Sequence, residues 1–173
     1  MDSSMQQIID TVRSFGGALV VLPGPGGGFP EEAWGDAFFF HAPDGTMPAH
    51  TQPYGTITTR DLPGDTASDL DPPGRWRVNI HVGRTAFGRL VREEADPDHT
   101  AADVLLPHPV YGAQGWVCVV TPGERTTAEV LRLLRAAHDA AAARHLRRSA
   151  TGARGTTGAG RTGEAGPAAS AGD

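Results

Sequence analysis

At 173 residues the chain is long enough for one domain with a real core and too short for two. Its formal net charge is -5 and all 15 basic residues are Arg, which in an Ala-, Gly- and Pro-rich composition marks a GC-rich genome before it marks phosphate binding. One cysteine excludes an intrachain disulfide and a Cys-based zinc framework and suits a reducing cytoplasm, and the N-terminus lacks the pattern of a secretory signal.

Ile8, Ile9, Val12 and Phe15 recur at helical spacing over residues 4–15, with Ser3 or Ser4 as N-cap and Gly16–Gly17 as stop. "ALVVLP" from Ala18 is a short apolar strand closed by Pro23, followed by the loop "GPGGG". "AWGDAFFFHA", "YGTITTR" and "WRVNIHV" read as three further strands, the last alternating Trp76, Val78, Ile80 and Val82 with Arg77, Asn79 and His81. Between the last two lies "DLPGDTASDLDPPG", whose proline and glycine steps forbid regular structure and mark a long acidic loop, flexible or functional. "RTAFGRLVRE" predicts a short helix with Phe87, Leu90 and Val91 inward, and a turn of helix is expected around Ala101 to Leu106. The strand "GWVCVV" then leads to a long helix opened by the capping-box pair Thr126 and Glu129, its inward face being Val130, Leu131, Leu134, Ala137 and Ala141.

Strands joined in sequence by turns imply an antiparallel sheet with the helices segregated to one face. The expected fold class is therefore α+β: a two-layer sandwich of about five antiparallel strands with the N- and C-terminal helices together on one side. Residues 1–146 form the single domain, with eleven Arg against eighteen Asp and Glu, a net of -7. Residues 147–173 hold no large apolar side chain and are expected to be a disordered tail of net charge +2.

"GPGGG" is no phosphate loop, because it leads toward a strand and the chain has no Lys to face a phosphate. No metal is expected: His138 and His145 are seven apart on one helix, and Asp61, Asp65, Asp69 and Asp71 lack the spacing and closing Glu of an EF-hand. Cys118 sits in an apolar strand, where a thiol behaves as a small buried hydrophobe rather than a nucleophile. No cofactor is implied.

The polar side of "WRVNIHV" is more informative. The period of two puts Arg77, Asn79 and His81 on one face, either as a solvated surface or as the floor of a cleft roofed by the acidic loop or by His108 and Tyr111. In the second case Arg77 clamps a carboxylate or phosphate and Asn79 fixes it by an amide hydrogen bond. In "PHPVYGAQGW" two prolines hold His108 in extended geometry on a connector, compatible with acid–base or ligand work. Tyr111, Gln114 and Trp116 read as anchors of a turn on a sheet edge.

The segments "AWGDAFFF", "TTRDLPG", "SDLDPPGRWRVNIHVGRTAF" and "LLPHPVYGAQGWVCVVTPGE" resemble a bacterial family of uncharacterised proteins common in actinobacteria, over roughly residues 5–145. The positions that carry the resemblance include Trp34, Gly35, Asp36, Asp61, Asp71, Arg77, Asn79, His108, Tyr111, Gln114 and Trp116, while Pro72 stands where that family usually has Arg. More distantly, the order of elements is similar to the MmcQ/YjbR-like, or double-wing, fold and through it to the frataxin-like sandwich. For that wider group DNA binding has been inferred from shape. An acidic domain would repel the phosphate backbone, so nucleic acid is disfavoured as a partner.

The sequence points first to a cytoplasmic, non-catalytic domain that binds a small anionic molecule or a protein partner through Arg77, Asn79, His81, His108, Tyr111, Asp36 and Asp61, with Trp34, Trp116, Gln114 and Cys118 in structural roles. The alternative is an enzyme using His108 as general base beside Asp36 or Asp61. No membrane span is expected, since no apolar run approaches the roughly 18 to 20 residues required.

Overall fold

The computed structural model of the chain describes residues 2–92 and 96–155. Helix α1 spans Ser3–Arg13 and presents Met5, Ile8, Ile9 and Val12 to the interior, each full burial being worth about 1.5–3 kcal/mol. Its N-cap is Asp2, whose carboxylate accepts from the Ser4 amide at 2.8 Å, so the cap lies one residue before the expected Ser3 or Ser4. The strands are β1 (Ala18–Val21), β2 (Ala37–His41), β3 (Gly55–Thr58), β4 (Arg77–His81), β5 (Leu106–Pro107) and β6 (Trp116–Val120). Helix α2 (Arg84–Leu90) follows β4 and helix α3 (Thr127–Gly155) follows β6.

All neighbouring strands pair antiparallel in the order β1-β2-β3-β4-β6-β5, giving an open six-stranded sheet in an α+β fold with three helices. The sixth strand is the one the sequence hid. Residues 101–106 were expected to turn as helix, but Ala102 forms a bridge to Val120 and Leu106–Pro107 pairs with Val117 and Cys118. Prolines at 107 and 109 favour this extended path, and Pro107 can lie on the edge strand because it is spared a ladder donor there.

One face of the sheet carries Ala37, Phe39, Ile57, Val78, Ile80, Val117 and Val119 into a core shared with α1 and with Val130, Leu133, Leu134 and Ala137 of α3. Gly55 is required on this face, since a Cβ there would stand 2.9 Å from Leu134 and 3.0 Å from Phe39. His138 of α3 is buried against the same side, its ring nitrogens 3.1 Å from the Tyr54 hydroxyl and 2.9 Å from the Gly16 carbonyl oxygen.

Two expectations about α3 are corrected. Glu129 pairs with Arg132, and Thr126 instead bonds the carboxylate of Asp103, so the helix start is capped from outside rather than by a Thr126–Glu129 box. The helix also continues to Gly155, past the Arg147 boundary where the tail was expected to begin. The helix enters this stretch from the alanine run at 140–143, alanine having the highest helix propensity, and residues 147–154 are exposed. Residues 156–173 of the expected tail, and Glu93 at the end of the expected α2, lie outside the described residues.

Candidate functional site

The second face of the sheet is polar at its centre. Cross-strand partners stand side by side: Thr56 opposite Asn79, Thr58 opposite Arg77, and Cys118 opposite Asn79 from β6. Over this face lies the acidic loop, which is ordered by its own carboxylates. Asp71 accepts from the Asp61 amide and Asp61 from the Leu70 amide, both at 3.0 Å, while Arg75 donates to the carbonyls of Ser68, Asp69 and Thr100. This bracing buries Leu70 and Ser68 and brings Asp65 down onto the sheet.

Arg77, only 1% exposed, is saturated by the protein itself. Its Nε donates to Asn79 Oδ1 (2.7 Å), Nη1 to Asp65 Oδ1 (3.0 Å) and Ser68 Oγ (2.9 Å), and Nη2 to Asp65 Oδ2 (2.5 Å). The remaining N–H is directed at His108 Nε2, 3.2 Å away. A guanidinium has five donors, and all five are directed at protein atoms, four of them at oxygens that accept. Asp65 occupies the place that an incoming carboxylate or phosphate was expected to take. Burial works against its charge, but the hydrogen bonds and charge of Arg77 prevail and hold its pKa below the ordinary value.

Asn79 is likewise committed. Its amide donates to Thr56 Oγ1 at 2.9 Å and Thr58 Oγ1 at 3.0 Å while its carbonyl accepts from Arg77. Both threonine hydroxyls therefore act as acceptors toward Asn79, which leaves their O–H hydrogens uncommitted among the described residues.

His108 is 5% exposed, and both ring nitrogens face protein donors, so the one N–H of the neutral ring already meets a donor on one side. Nε2 faces Arg77, and Nδ1 faces the amides of Val110 (3.1 Å) and Tyr111 (3.2 Å). A second ring proton would set donor against donor on both sides. Burial and the neighbouring Arg77 charge accordingly lower its pKa to about 4, with Asp65 only partly offsetting them. Both nitrogens face protein donors, so work as a general base would require this network to open first.

The free polar groups lie elsewhere in the cleft. Asp36, 5% exposed, accepts from the amide and hydroxyl of Thr59 through Oδ1, both at 2.8 Å, and Oδ2 has no protein partner among the described residues. Burial raises the Asp36 pKa, against the lowering effect of the Thr59 bonds and the Arg60 charge. Asp36, Thr56, Thr58, Gln52 and Gln114 line a cleft of about 550 Å³ whose apolar walls include Phe38, Tyr111 and Trp116.

The expected residues thus separate. Arg77, Asn79, His108, Tyr111 and Asp36 converge on one cleft. Asp61 does not join them, being a brace within the loop. His81 lies tilted against Trp116 at 5.4 Å between ring centroids and lines a different cavity, where burial and Arg144 lower its pKa. Trp116 and Gln114, expected as anchors, are cleft-lining, and Tyr111 is 51% exposed. Trp34 braces its turn by donating to the Phe29 carbonyl at 3.2 Å. Cys118 is buried, with its pKa raised by that burial to about 12. Thr56, Thr58, Asp65 and Ser68 were missed as site residues. The alternation of "GTIT" opposite "RVNI" was the available signal for the threonines.

Among the described residues no group of three or more His, Cys, Asp or Glu could hold a metal ion, and no helix is long and apolar enough to cross a membrane. No curated protein and no solved structure matches the chain. A family match does exist. It runs over residues 1–150, taking in α1, every strand of the sheet and most of α3, and by it the chain belongs to the family of unknown function DUF6194.

Proposed function

We propose that the protein is a non-catalytic binding domain whose cleft takes a small uncharged or cationic molecule with a ring or other flat apolar portion. The observation that carries this reading is the division of labour on the polar face. Arg77, Asp65, Asn79 and His108 are directed at one another, while Asp36, Thr56 and Thr58 retain unused hydrogen-bonding capacity beside aromatic walls. Arg77 and Asp65 cancel in charge and His108 is neutral above its lowered pKa, so the cleft carries the charge of Asp36 alone. Such a site repels anions and offers a carboxylate and hydroxyl donors to a polar head, with Phe38, Tyr111 and Trp116 for a flat body. A small anionic ligand, attractive from the arginine in the sequence, is therefore not retained for this cleft.

Kinship with the MmcQ/YjbR-like sandwich belongs to the proposal, supported by the order of helix, antiparallel strands and closing helix. So does a cytoplasmic setting, supported by the single unpaired thiol. The DNA contact inferred for that wider group is not carried over, because the cleft presents Asp36 and a neutralised arginine to any phosphate.

The test is a thermal-shift screen with matched sets of ring-bearing amines, neutral amides and carboxylates. Amines and amides should raise the melting temperature, a ligand at a hundredfold its Kd adding about 2.7 kcal/mol. Asp36→Asn should abolish the response to amines and Thr56→Val should weaken both classes. A hit list dominated by carboxylates, or hits indifferent to both substitutions, would overturn the reading.

A further inference from the structure

A second cavity, of about 310 Å³, lies on the helical side between the end of β4, α2 and α3. Its inner wall is apolar, made by Val82, Leu90, Leu133 and Ala137. It exists because α3 passes over it with alanines at 136, 137 and 140, too short to fill the gap. Its mouth is cationic, formed by Arg89 of α2 with Arg132 and Arg144 of α3.

The three arginines differ. Arg132 is neutralised by Glu129 through two hydrogen bonds, at 2.8 and 2.5 Å. Arg89 and Arg144 have no carboxylate and no hydrogen-bond acceptor among the described residues. Arg144 is half-buried, and burial together with the charges of Arg148 and Arg147 depresses its pKa. His81, which also lines the cavity, has its own pKa lowered first by burial and then by Arg144. A partly desolvated, uncompensated cation next to an apolar hollow is costly unless an anion joins it.

We propose that this cavity binds an anionic amphiphile, a carboxylate or phosphate monoester held by Arg89 and Arg144 with a short alkyl tail laid against Val82, Leu90 and Leu133. The volume sits at the small end of the range for ligand pockets, about 300–1,000 Å³, which limits the tail to a short one. Charge decides the head and the apolar wall decides the tail. The ligand class is opposite in sign to that of the sheet-face cleft, and the two proposals stand or fall separately.

The experiment is calorimetric titration of the full chain with octanoate, octyl phosphate, octylamine and inorganic phosphate, all below micelle-forming concentrations. Octanoate or octyl phosphate should bind saturably, the tighter of the two identifying the head group, while octylamine should not bind and inorganic phosphate should bind at least tenfold more weakly. Arg144→Gln and Arg89→Gln should each weaken binding at least fivefold. Arg135→Gln, whose guanidinium lies over the Phe15 ring, should leave it unchanged. Ala140→Leu, at an exposed helical position that tolerates leucine, should fill the cavity and abolish binding with the melting temperature preserved. Absence of saturable binding, equal binding by Arg144→Gln, or equal binding of octylamine would overturn the proposal. Co-sedimentation with anionic vesicles without any octanoate binding would overturn it in favour of a membrane-surface role.

Discussion

Arg77 on the sheet and Arg144 on α3 are 1% exposed and half-buried respectively, and the protein treats their charges in opposite ways. Around Arg77 the chain supplies a carboxylate, a hydroxyl, an amide oxygen and an imidazole nitrogen, and the guanidinium becomes part of the architecture. Around Arg144 it supplies other arginines and an apolar wall. The lesson is that a buried arginine in a cleft is not in itself an anion site; the count of its unused donors is the discriminating quantity. By that count Arg77 has its donors directed at the protein, while Arg144 has no acceptor among the described residues.

The comparison is broken most decisively by removing each cation in turn. Arg77→Met should lose about 3–5 kcal/mol in urea unfolding, because it leaves Asp65 facing the sheet without its partner. Adding Asp65→Leu should recover most of that loss, while Arg144→Gln should stay within about 0.5 kcal/mol of the parent. Equal costs for Arg77→Met and Arg144→Gln would erase the distinction.

A smaller effect comes from His108. Its folded-state pKa, lowered from 6.5 to about 4, lies below the unfolded value, so the unfolded chain takes up the proton first as pH falls. The contribution is complete above about pH 6.5 and is lost progressively down to about pH 4, amounting to at most about 3 kcal/mol at 1.36 kcal/mol per unit. His41 and His81 are lowered too, so the informative measurement is the difference between the parent and His108→Gln across that window. The variant should show a flatter profile, and an unchanged slope would show that the ring is not held by the Arg77 network.

The smallest effect has the opposite sign. Burial raises the Asp36 pKa above its unfolded value, so ionised Asp36 costs stability as pH rises through the folded pKa. Asp36→Asn keeps an acceptor for Thr59 and removes the charge. It should stabilise the fold by roughly 0.5–2 kcal/mol at pH 7, with no gain at pH 3, as is common where stability has been traded for a site. A loss at pH 7 would instead make the carboxylate a structural anchor.

Much of this arrangement was legible in the sequence, and the boundary of legibility is physical. Alternation in "WRVNIHV" put Arg77 and Asn79 on one face and the core residues Val78 and Ile80 on the other, as the register has them. The same alternation misled at His81, because at a strand end the neighbouring helix, not the pleat, decides what the side chain meets. Asp65 and Ser68 were hidden because loops have no period. A segment dense in proline, glycine and aspartate reads as unstructured until Asp61, Asp71 and Arg75 are seen to tie it back on itself. Arg147 and Arg148 were assigned to a tail because their neighbours are small, yet α3 runs on through them from the alanines at 140–143.

The cap of α3 bears on how the two layers are joined. Asp103, held at φ 56°, accepts from the amides of Gly123 and Thr126 and from the Thr126 hydroxyl, reaching across from the far side of β6. The four orphan amides of a helix start are usually met by residues adjacent in sequence, so that a helix can nucleate by itself. Here the turn before the helix is held by Asp103, next to Ala102, which bridges to Val120 of the sheet. The entry to the longest described helix is thereby tied to the edge of the sheet through one carboxylate, so the two layers share a single fastening.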